Sequence, residues 1–123
     1  MYDEDVTERI IKAAIEVHRQ LGPGLLESAY EECLGYELAA EGLAFERQKL
    51  LPVTYKGNTL ECVYRIDLFV EDRVIVELKS VEKLLPVYEA QVLTYLRLTG
   101  VKTGLLLNFN TPLLKDGLKR FVL

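Results

Sequence analysis

The chain has 123 residues, half of them hydrophobic, and this length predicts a single domain, residues 1–123, with a substantial core. Nineteen acidic against fifteen basic residues give a net charge of −4, which argues against tight, unaided binding to a nucleic acid backbone. The apolar runs are too short to cross a bilayer, and the acidic N-terminal segment is unlike a signal peptide. We therefore expect a cytoplasmic protein that is not inserted in a membrane. Cys33 and Cys62 lack the spacing of a zinc site and are expected to be reduced core residues.

Two helices are predicted first. Apolar residues recur at helical spacing over residues 6–21, and the Gly22-Pro23-Gly24 break ends that helix. His18, the only histidine, lies along an apolar stripe of this helix; a hydrogen-bonded packing role is favoured over a ligand role. A second helix is predicted over residues 25–40.

Glu27 falls in the first turns of the second predicted helix. Tyr30 and Leu34, three and seven positions further on, are aromatic or apolar, so Glu27 is predicted to share the face that packs inward. An inward carboxylate needs a partner. The alternative is an interaction of Glu27 with the positive end of its own helix.

A hairpin is predicted next, because residues 45–55 and 60–70 have strand character and flank the turn-forming Lys56-Gly57-Asn58. In the second of these strands, Asp67 is expected to share a face with Arg65 and Phe69. The opposite face would carry the alternating residues Leu60, Cys62, Tyr64, Ile66, Leu68 and Val70.

A further strand over residues 74–79 follows the polar break at residues 71–73 and places Glu77 and Lys79 on one side. A three-residue loop would set Asp67 directly opposite Glu77, whereas a two-residue loop would make them diagonal neighbours. Either register brings two carboxylates together.

Facing carboxylates repel each other, so a further interaction must offset the repulsion between Asp67 and Glu77. Mg²⁺ prefers oxygen ligands, and a divalent ion held by Asp67 and Glu77 is the simplest interaction that would offset this repulsion. Lys79 would then favour a metal-bound hydroxide or neutralise the charge that builds up on a phosphorus under attack. The alternative is an exposed hairpin whose charges are solvated.

A third helix is predicted over residues 86–99, with Pro86 in its first turn. Tyr88, Gln91 and Tyr95 form one stripe on it, which would carry Gln91 toward the metal site or serve as ordinary packing with polar tips.

The end of the chain predicts two more strands. Residues 103–109 include a continuous apolar run, typical of a strand covered on both sides, and residues 118–123 form a short last strand. Basic residues spread along the chain would form a local basic surface or, as the favoured alternative, ordinary solvated charges. They are Arg47, Lys49, Lys102, Lys119 and Arg120.

Several motifs occur in a fixed order along the chain: His18, Leu21-Gly22-Pro23-Gly24, Gly24-x-x-Glu27-x-x-Tyr30, Arg65-Ile66-Asp67, Glu77-Leu78-Lys79 and Gln91-x-x-x-Tyr95. In this order the chain resembles the GxxExxY proteins, small domains placed in the PD-(D/E)XK nuclease superfamily. The resemblance implies an α/β (α+β) fold with a restriction-endonuclease-like PD-(D/E)XK core, a mixed central sheet flanked by helices. Ile66 stands where the superfamily name has proline, a position that does no chemistry.

The resemblance also implies roles by position. Asp67 and Glu77 match the metal-binding acids and Lys79 the catalytic lysine, while Glu27 matches a helix-borne acid that reaches the metal directly or through water. Gln91 matches the polar residue on the following helix. The resulting hypothesis is a Mg²⁺- or Mn²⁺-dependent nuclease that hydrolyses DNA or RNA with water as nucleophile.

The leading alternative is a non-catalytic binding or assembly module that retains the nuclease fold; a metal-independent hydrolase of another phosphate ester ranks third. Because the chain is acidic, binding to nucleic acid is expected to be weak unless a partner protein or homodimerisation assists it.

Overall fold

The computed structural model describes residues 2–123, and within that range it contains three α-helices, seven β-strands and one 3-10 helix. In chain order these are α1 (Asp3–Leu21), α2 (Glu27–Ala40), β1 (Phe45–Leu51), β2 (Thr54–Tyr55), β3 (Asn58–Thr59), β4 (Tyr64–Val70), β5 (Val74–Lys79), α3 (Pro86–Thr99), β6 (Thr103–Asn108), the 3-10 helix (Leu114–Gly117) and β7 (Leu118–Val122).

Five strands form one sheet in the order β1-β4-β5-β6-β7. The first three make an antiparallel meander, α3 then crosses over so that β6 pairs parallel to β5, and β7 returns antiparallel to β6. This confirms the predicted α/β fold with a mixed central sheet flanked by helices. Ser80, just after β5, donates its hydroxyl to the carbonyl of Leu25 at 2.5 Å, so the end of β5 lies beside the start of α2.

Apolar residues cover both faces of the sheet. α1 and α2 pack on one face, which we call the α1/α2 layer, and α3 packs on the other, the α3 layer. Leu105 and Leu107 of β6 belong to the α1/α2 layer, whereas Leu106 belongs to the α3 layer. The predicted strand covered on both sides is therefore confirmed.

The helix ends differ slightly from the prediction. α1 begins at Asp3, three residues early, because acids in a first turn interact favourably with the positive end of a helix. α2 begins at Glu27, two residues late, whereas α3 has the predicted bounds. Gly100 caps α3, and its φ of 77° is the left-handed conformation that glycine adopts without strain. Within residues 2–123 no helix is both long and apolar enough to span a bilayer.

The predicted long hairpin is wrong in extent. β1 ends before Pro52, which has no N–H to donate to a ladder, and only a two-residue turn at Lys56-Gly57 joins the short strands β2 and β3. Residues 60–63 are exposed and outside the sheet. Cys62 lies there, so the prediction of a core position is wrong for Cys62, while Cys33 packs against the α1/α2 layer.

Gly104 allows α3 to approach β6 closely, since a Cβ at this position would lie 2.8 Å from Cγ1 of Val92. Gly104→Ala is expected to destabilise the protein by about 1–3 kcal/mol through overpacking. Gly35→Ala is the matched control: its Cβ would meet the Phe45 ring at an ordinary 3.5 Å and should improve helix propensity. Urea unfolding of both variants tests this, and equal midpoints would contradict it.

Candidate active site

The antiparallel pairing of β4 and β5 stops where the acidic residues begin. Val70 pairs with Val74 across a three-residue turn, and only two more pairs follow. One further step in this register sets Asp67 opposite Glu77, which is the arrangement expected for a three-residue loop. The ladder opens at the two acids.

Side-chain hydrogen bonds replace the missing ladder bonds. Oε2 of Glu77 accepts the Asp67 N–H at 2.8 Å, and Oδ2 of Asp67 accepts the Leu78 N–H at 2.9 Å. Each carboxyl group is thus anchored to the backbone beside the other. Glu77 is only 4% exposed, so the alternative of a solvated surface hairpin is wrong for this residue.

The other neighbour of Asp67 is also irregular. Gln48 of β1 stands opposite Asp67 and has a φ of 51°, a conformation uncommon outside glycine. Its side-chain amide donates to Oδ1 of Asp67 at 3.3 Å and to Oε1 of Glu31 at 2.6 Å. Gln48 therefore links the β4 acid to helix α2.

The strand changes face at Asp67, which corrects the predicted alternation. Ile66 packs in the α3 layer, whereas Leu68 and Val70 pack in the α1/α2 layer, so these three residues do not share a face. Asp67 lines a cleft beside α2, while Phe69 packs in the α3 layer. Regular pairing maintains the pleat of a strand, and β4 lacks it on both sides at this point.

Glu77 carries the strongest electrostatic perturbation of the site. Burial raises its pKa to about 9, and the negative charge of Asp67 acts in the same direction. The hydrogen bond from the Asp67 backbone and the positive charge of Lys79 oppose this rise. Without a bound cation, Glu77 is therefore protonated at neutral pH.

Lys79 lies on the α3 side of the sheet. Its Nζ is 4.6 Å from the centroid of the Tyr88 ring, a cation–π contact. The charge of Lys79 acts on the carboxyl groups of both Glu77 and Glu27. The ammonium group is thus held on an aromatic ring within electrostatic reach of two acids.

Glu27 is exposed, and the prediction that it faces inward is wrong. As the first residue of α2 it precedes the turn that packs on the sheet, where Tyr30 is fully buried. Its carboxyl group is still partly desolvated, which raises its pKa; the charges of Asp67 and Glu31 add to this rise and Lys79 opposes it. Glu27 therefore lies at the mouth of the site.

The inward acid of α2 is Glu31, which is 7% exposed and forms a salt bridge with Arg47 at 3.1 Å. Glu31 lies one helical turn after Glu27, and this spacing could have identified it as a second candidate acid, which the sequence analysis missed. Nothing in the sequence singles out Gln48. Glu27, Glu31 and Gln48 line one cleft of about 400 Å³. It is lined by Glu27, Ser28, Glu31, Gln48, Asp67 and Leu78.

Gln91 is connected to the acidic residues through Tyr95. Its amide donates to the Tyr95 hydroxyl at 3.0 Å. Burial raises the pKa of Tyr95, and the nearby charges of Glu77 and Asp67 raise it further. The α3 stripe therefore reaches the acids through Tyr95, and Gln91 orients that tyrosine.

Two other motif residues have structural contacts. Nε2 of His18 lies 2.7 Å from the carbonyl of Thr111, which confirms the favoured packing role. The Tyr30 hydroxyl donates to the carbonyl of Gly22 at 2.6 Å and accepts the Leu25 N–H at 3.1 Å. Tyr30 thus holds the loop that precedes Glu27.

Four of the five basic residues named in the sequence prediction are divided between two separate strands. Arg47 and Lys49 lie in β1, while Lys119 and Arg120 lie in β7, and these are the two outer strands of the sheet. Three of the four, all except Arg120, form salt bridges with acidic side chains. This distribution favours solvated charges over a basic surface.

Asp67 and Glu77 offer hard oxygen donors that fit a divalent cation such as Mg²⁺, which keeps several waters and uses one or two carboxylates. Burial and the negative charge of Asp67 raise the Glu77 pKa, and a bound cation would oppose both effects by stabilising the carboxylate. Within residues 2–123, no group of three or more His, Cys, Asp or Glu side chains is placed to hold a metal ion. Glu27 is thus not assembled with the other two acids as a third ligand.

Comparison with known proteins agrees with this architecture. A family model of the PD-(D/E)XK nuclease superfamily matches residues 4–121. The chain therefore belongs to the PD-(D/E)XK nuclease superfamily, whose nucleases generally use divalent metal ions. No curated protein and no solved structure gave a significant match.

Proposed function

We propose that this chain, as one domain over residues 1–123, is a Mg²⁺- or Mn²⁺-dependent nuclease that hydrolyses phosphodiester bonds in DNA or RNA. The observation that carries the proposal is the opened β4–β5 ladder, which holds the carboxyl groups of Asp67 and Glu77 together beside Lys79. Two carboxyl groups packed in this way cost free energy in an ordinary sheet, because they either repel each other as carboxylates or force one of them to keep its proton. A site that binds a cation explains that cost.

Asp67 and Glu77 would hold the metal ion, and Glu27 at the mouth of the cleft would act through a bound water. When bound, the ion would act as a Lewis acid toward a phosphate oxygen and lower the pKa of an attacking water. The buried position of Glu77 restricts access of bulk water and strengthens the electrostatic interactions in the site.

Lys79 would stabilise the negative charge that develops on the phosphate as water attacks. The Tyr88 ring holds its ammonium group in position without removing its charge. Gln91 would act on the reacting groups through Tyr95, since its amide keeps the tyrosine hydroxyl oriented within electrostatic reach of Glu77. The remaining positioning contact is that of Gln48 with Asp67.

A non-catalytic binding or assembly module is the second candidate. A protonated Glu77 that shares hydrogen bonds with Asp67 satisfies the requirements of a buried polar core without any metal, and no third acid is assembled within residues 2–123. This module would be indifferent to Mg²⁺, whereas a nuclease site should gain thermal stability as the ion occupies it.

Cleavage of labelled DNA and RNA, single- and double-stranded, with Mg²⁺, Mn²⁺ or a chelator tests the proposal. Wild-type protein is expected to cut in metal and not in chelator, and Asp67→Asn to lose this activity. The matched control is Asp72→Asn, because Asp72 is exposed in the β4–β5 turn at a φ of 53°, which asparagine tolerates. No cutting and no metal-induced stabilisation in the wild type would favour the binding module.

The acidic chain is expected to bind its substrate weakly, and we propose that homodimerisation or a partner protein increases the local concentration of substrate. Cleavage per molecule that rises with protein concentration would support homodimerisation.

A further inference from the structure

A groove of about 350 Å³ opens on the α3 side of the sheet, next to the proposed active site. Its walls come from Val53 and Leu60 near the β2–β3 strands, Tyr64 of β4, and Ala90, Gln91 and Tyr95 of α3. We call it the tyrosine groove. It lies on the opposite side of the sheet from the acidic cleft beside α2, and Tyr95 connects the two regions.

The tyrosine groove has the chemistry of a site for a flat, apolar ring. None of the residues that line it is charged, and its one side-chain amide, that of Gln91, offers both a donor and an acceptor. Tyr64 is 40% exposed and Leu60 38% exposed, so large apolar side chains there are open to solvent. A phosphate group would find no cation in this groove, whereas a nucleobase would find aromatic and apolar surfaces.

The tyrosine groove is also close to the reacting groups. Tyr95 lines the groove, and its hydroxyl accepts a hydrogen bond from the Gln91 amide. Tyr95 also lies within the electrostatic influence of Glu77 and Asp67. Tyr64 precedes Asp67 by three residues in β4, which is about 10 Å along a strand. This is roughly the length of three stacked nucleotides at about 3.4 Å each.

We propose that the tyrosine groove binds an unpaired nucleobase of the substrate strand, so that the substrate is single-stranded nucleic acid. The proposal rests on the nuclease function above and names its substrate class. Bases of a duplex are stacked and paired, so they cannot enter the groove without being extruded. Stacking on the Tyr64 ring and hydrogen bonds to the Gln91 amide would hold an unpaired base.

This mode of binding suits the charge of the chain. The net charge of −4 is unfavourable to a polyanion, and the residues that line the tyrosine groove include no cation to neutralise a phosphate. Affinity that comes from base stacking is tolerant of sequence and does not require a basic surface. Binding is accordingly expected to depend only weakly on salt, because few counterions are released.

The test measures binding separately from cleavage. Fluorescence anisotropy of a short labelled single-stranded DNA, a single-stranded RNA of the same sequence, and the blunt duplex is recorded in chelator with the Asp67→Asn protein. Single strands are expected to bind more tightly than the duplex. Ala90→Trp, which fills the groove, should weaken single-strand binding roughly tenfold or more, the effect of losing one stacked base.

Ala39→Trp is the matched control, since Ala39 is an exposed alanine of α2 outside the tyrosine groove, and it should bind like its parent. Tyr64→Ala, a change at an exposed side chain, provides a second test if Ala90→Trp fails to fold. Thermal unfolding and circular dichroism establish which variants are folded.

Equal single-strand binding by the parent, Ala90→Trp and Tyr64→Ala would overturn the proposal, as would preference for the duplex or no binding by any protein. Metal-dependent cutting of duplex and single strand alike, unaffected by Ala90→Trp, would overturn this inference and leave the nuclease function standing. Groove-dependent binding of single strands without cleavage in any metal would support base binding and refute the nuclease function.

Discussion

Lys79→Ala is expected to lower the rate of metal-dependent cleavage by about 10²–10³-fold while leaving metal binding largely intact. The lysine is proposed to act on the charge that develops in the transition state, and the anchoring bonds of Asp67 and Glu77 do not involve its side chain. Single-turnover cleavage with Mg²⁺ or Mn²⁺, together with calorimetric titration of the metal, separates the two effects.

Lys12→Ala is the control for this experiment, because Lys12 is an exposed lysine of α1. Unchanged cleavage by the Lys79→Ala protein would contradict the mechanism. Loss of metal binding together with cleavage would show instead that Lys79 supports the geometry of the acids, and Tyr88→Leu, which removes its aromatic contact, would then have the same effect.

The metal-free protein is expected to lose stability as the pH rises from about 4.5 to about 9. The pKa of Glu77 is about 9 in the folded chain against a usual value of 4.5, so over this range the folded state retains a proton that the unfolded state has released. The contribution of protonated Glu77 is complete below pH 4.5 and is lost as the pH approaches 9. Urea unfolding in chelator at several pH values measures it.

Glu77→Gln should flatten this pH dependence, since the amide is neutral at every pH and similar in shape. Glu8→Gln, at an exposed glutamate of α1, should keep the wild-type profile. The same pH profile in the wild-type and Glu77→Gln proteins would contradict the assignment.

Metal binding should be linked to the same proton. An ion that requires the Glu77 carboxylate must displace its proton, so binding near neutral pH should release about one proton per ion and tighten about tenfold per pH unit. Titration calorimetry in buffers of different ionisation enthalpy measures the released proton. Metal affinity that is constant from pH 6 to 8 would exclude Glu77 as a ligand.

The proposed site could be predicted in part from local patterns. The bounds of β5 and α3 match the sequence prediction. The three-residue turn that sets Asp67 opposite Glu77 gives one of the two registers that the sequence left open. These features depend on short-range preferences: β-branched residues in a strand, proline at a helix start, glycine at a helix end and a polar turn. Their geometry is set within a few residues of the chain.

Glu27 and Gln91 show where local patterns were insufficient. Helical spacing predicted that Glu27 shares the buried face of Tyr30 and Leu34, and this is wrong because Glu27 is exposed. Whether a first-turn residue is covered depends on where the sheet lies beneath it. Gln91 lies on the predicted stripe, yet its amide binds Tyr95, a partner set by rotamers within the packed helix.

By itself, the sequence determined the three helices to within a few residues, strand β5, and the proximity of Asp67, Glu77 and Lys79. Periodicity and turn length act within single elements and one hairpin, so a local pattern contains them. Only the tertiary structure decided the change of face at Asp67, the link from Gln48 to Glu31 and the burial that raises the Glu77 pKa. These features arise where β1, β4, β5 and α2 meet. Contacts between elements distant in sequence depend on the packing of all of them, which no local pattern contains.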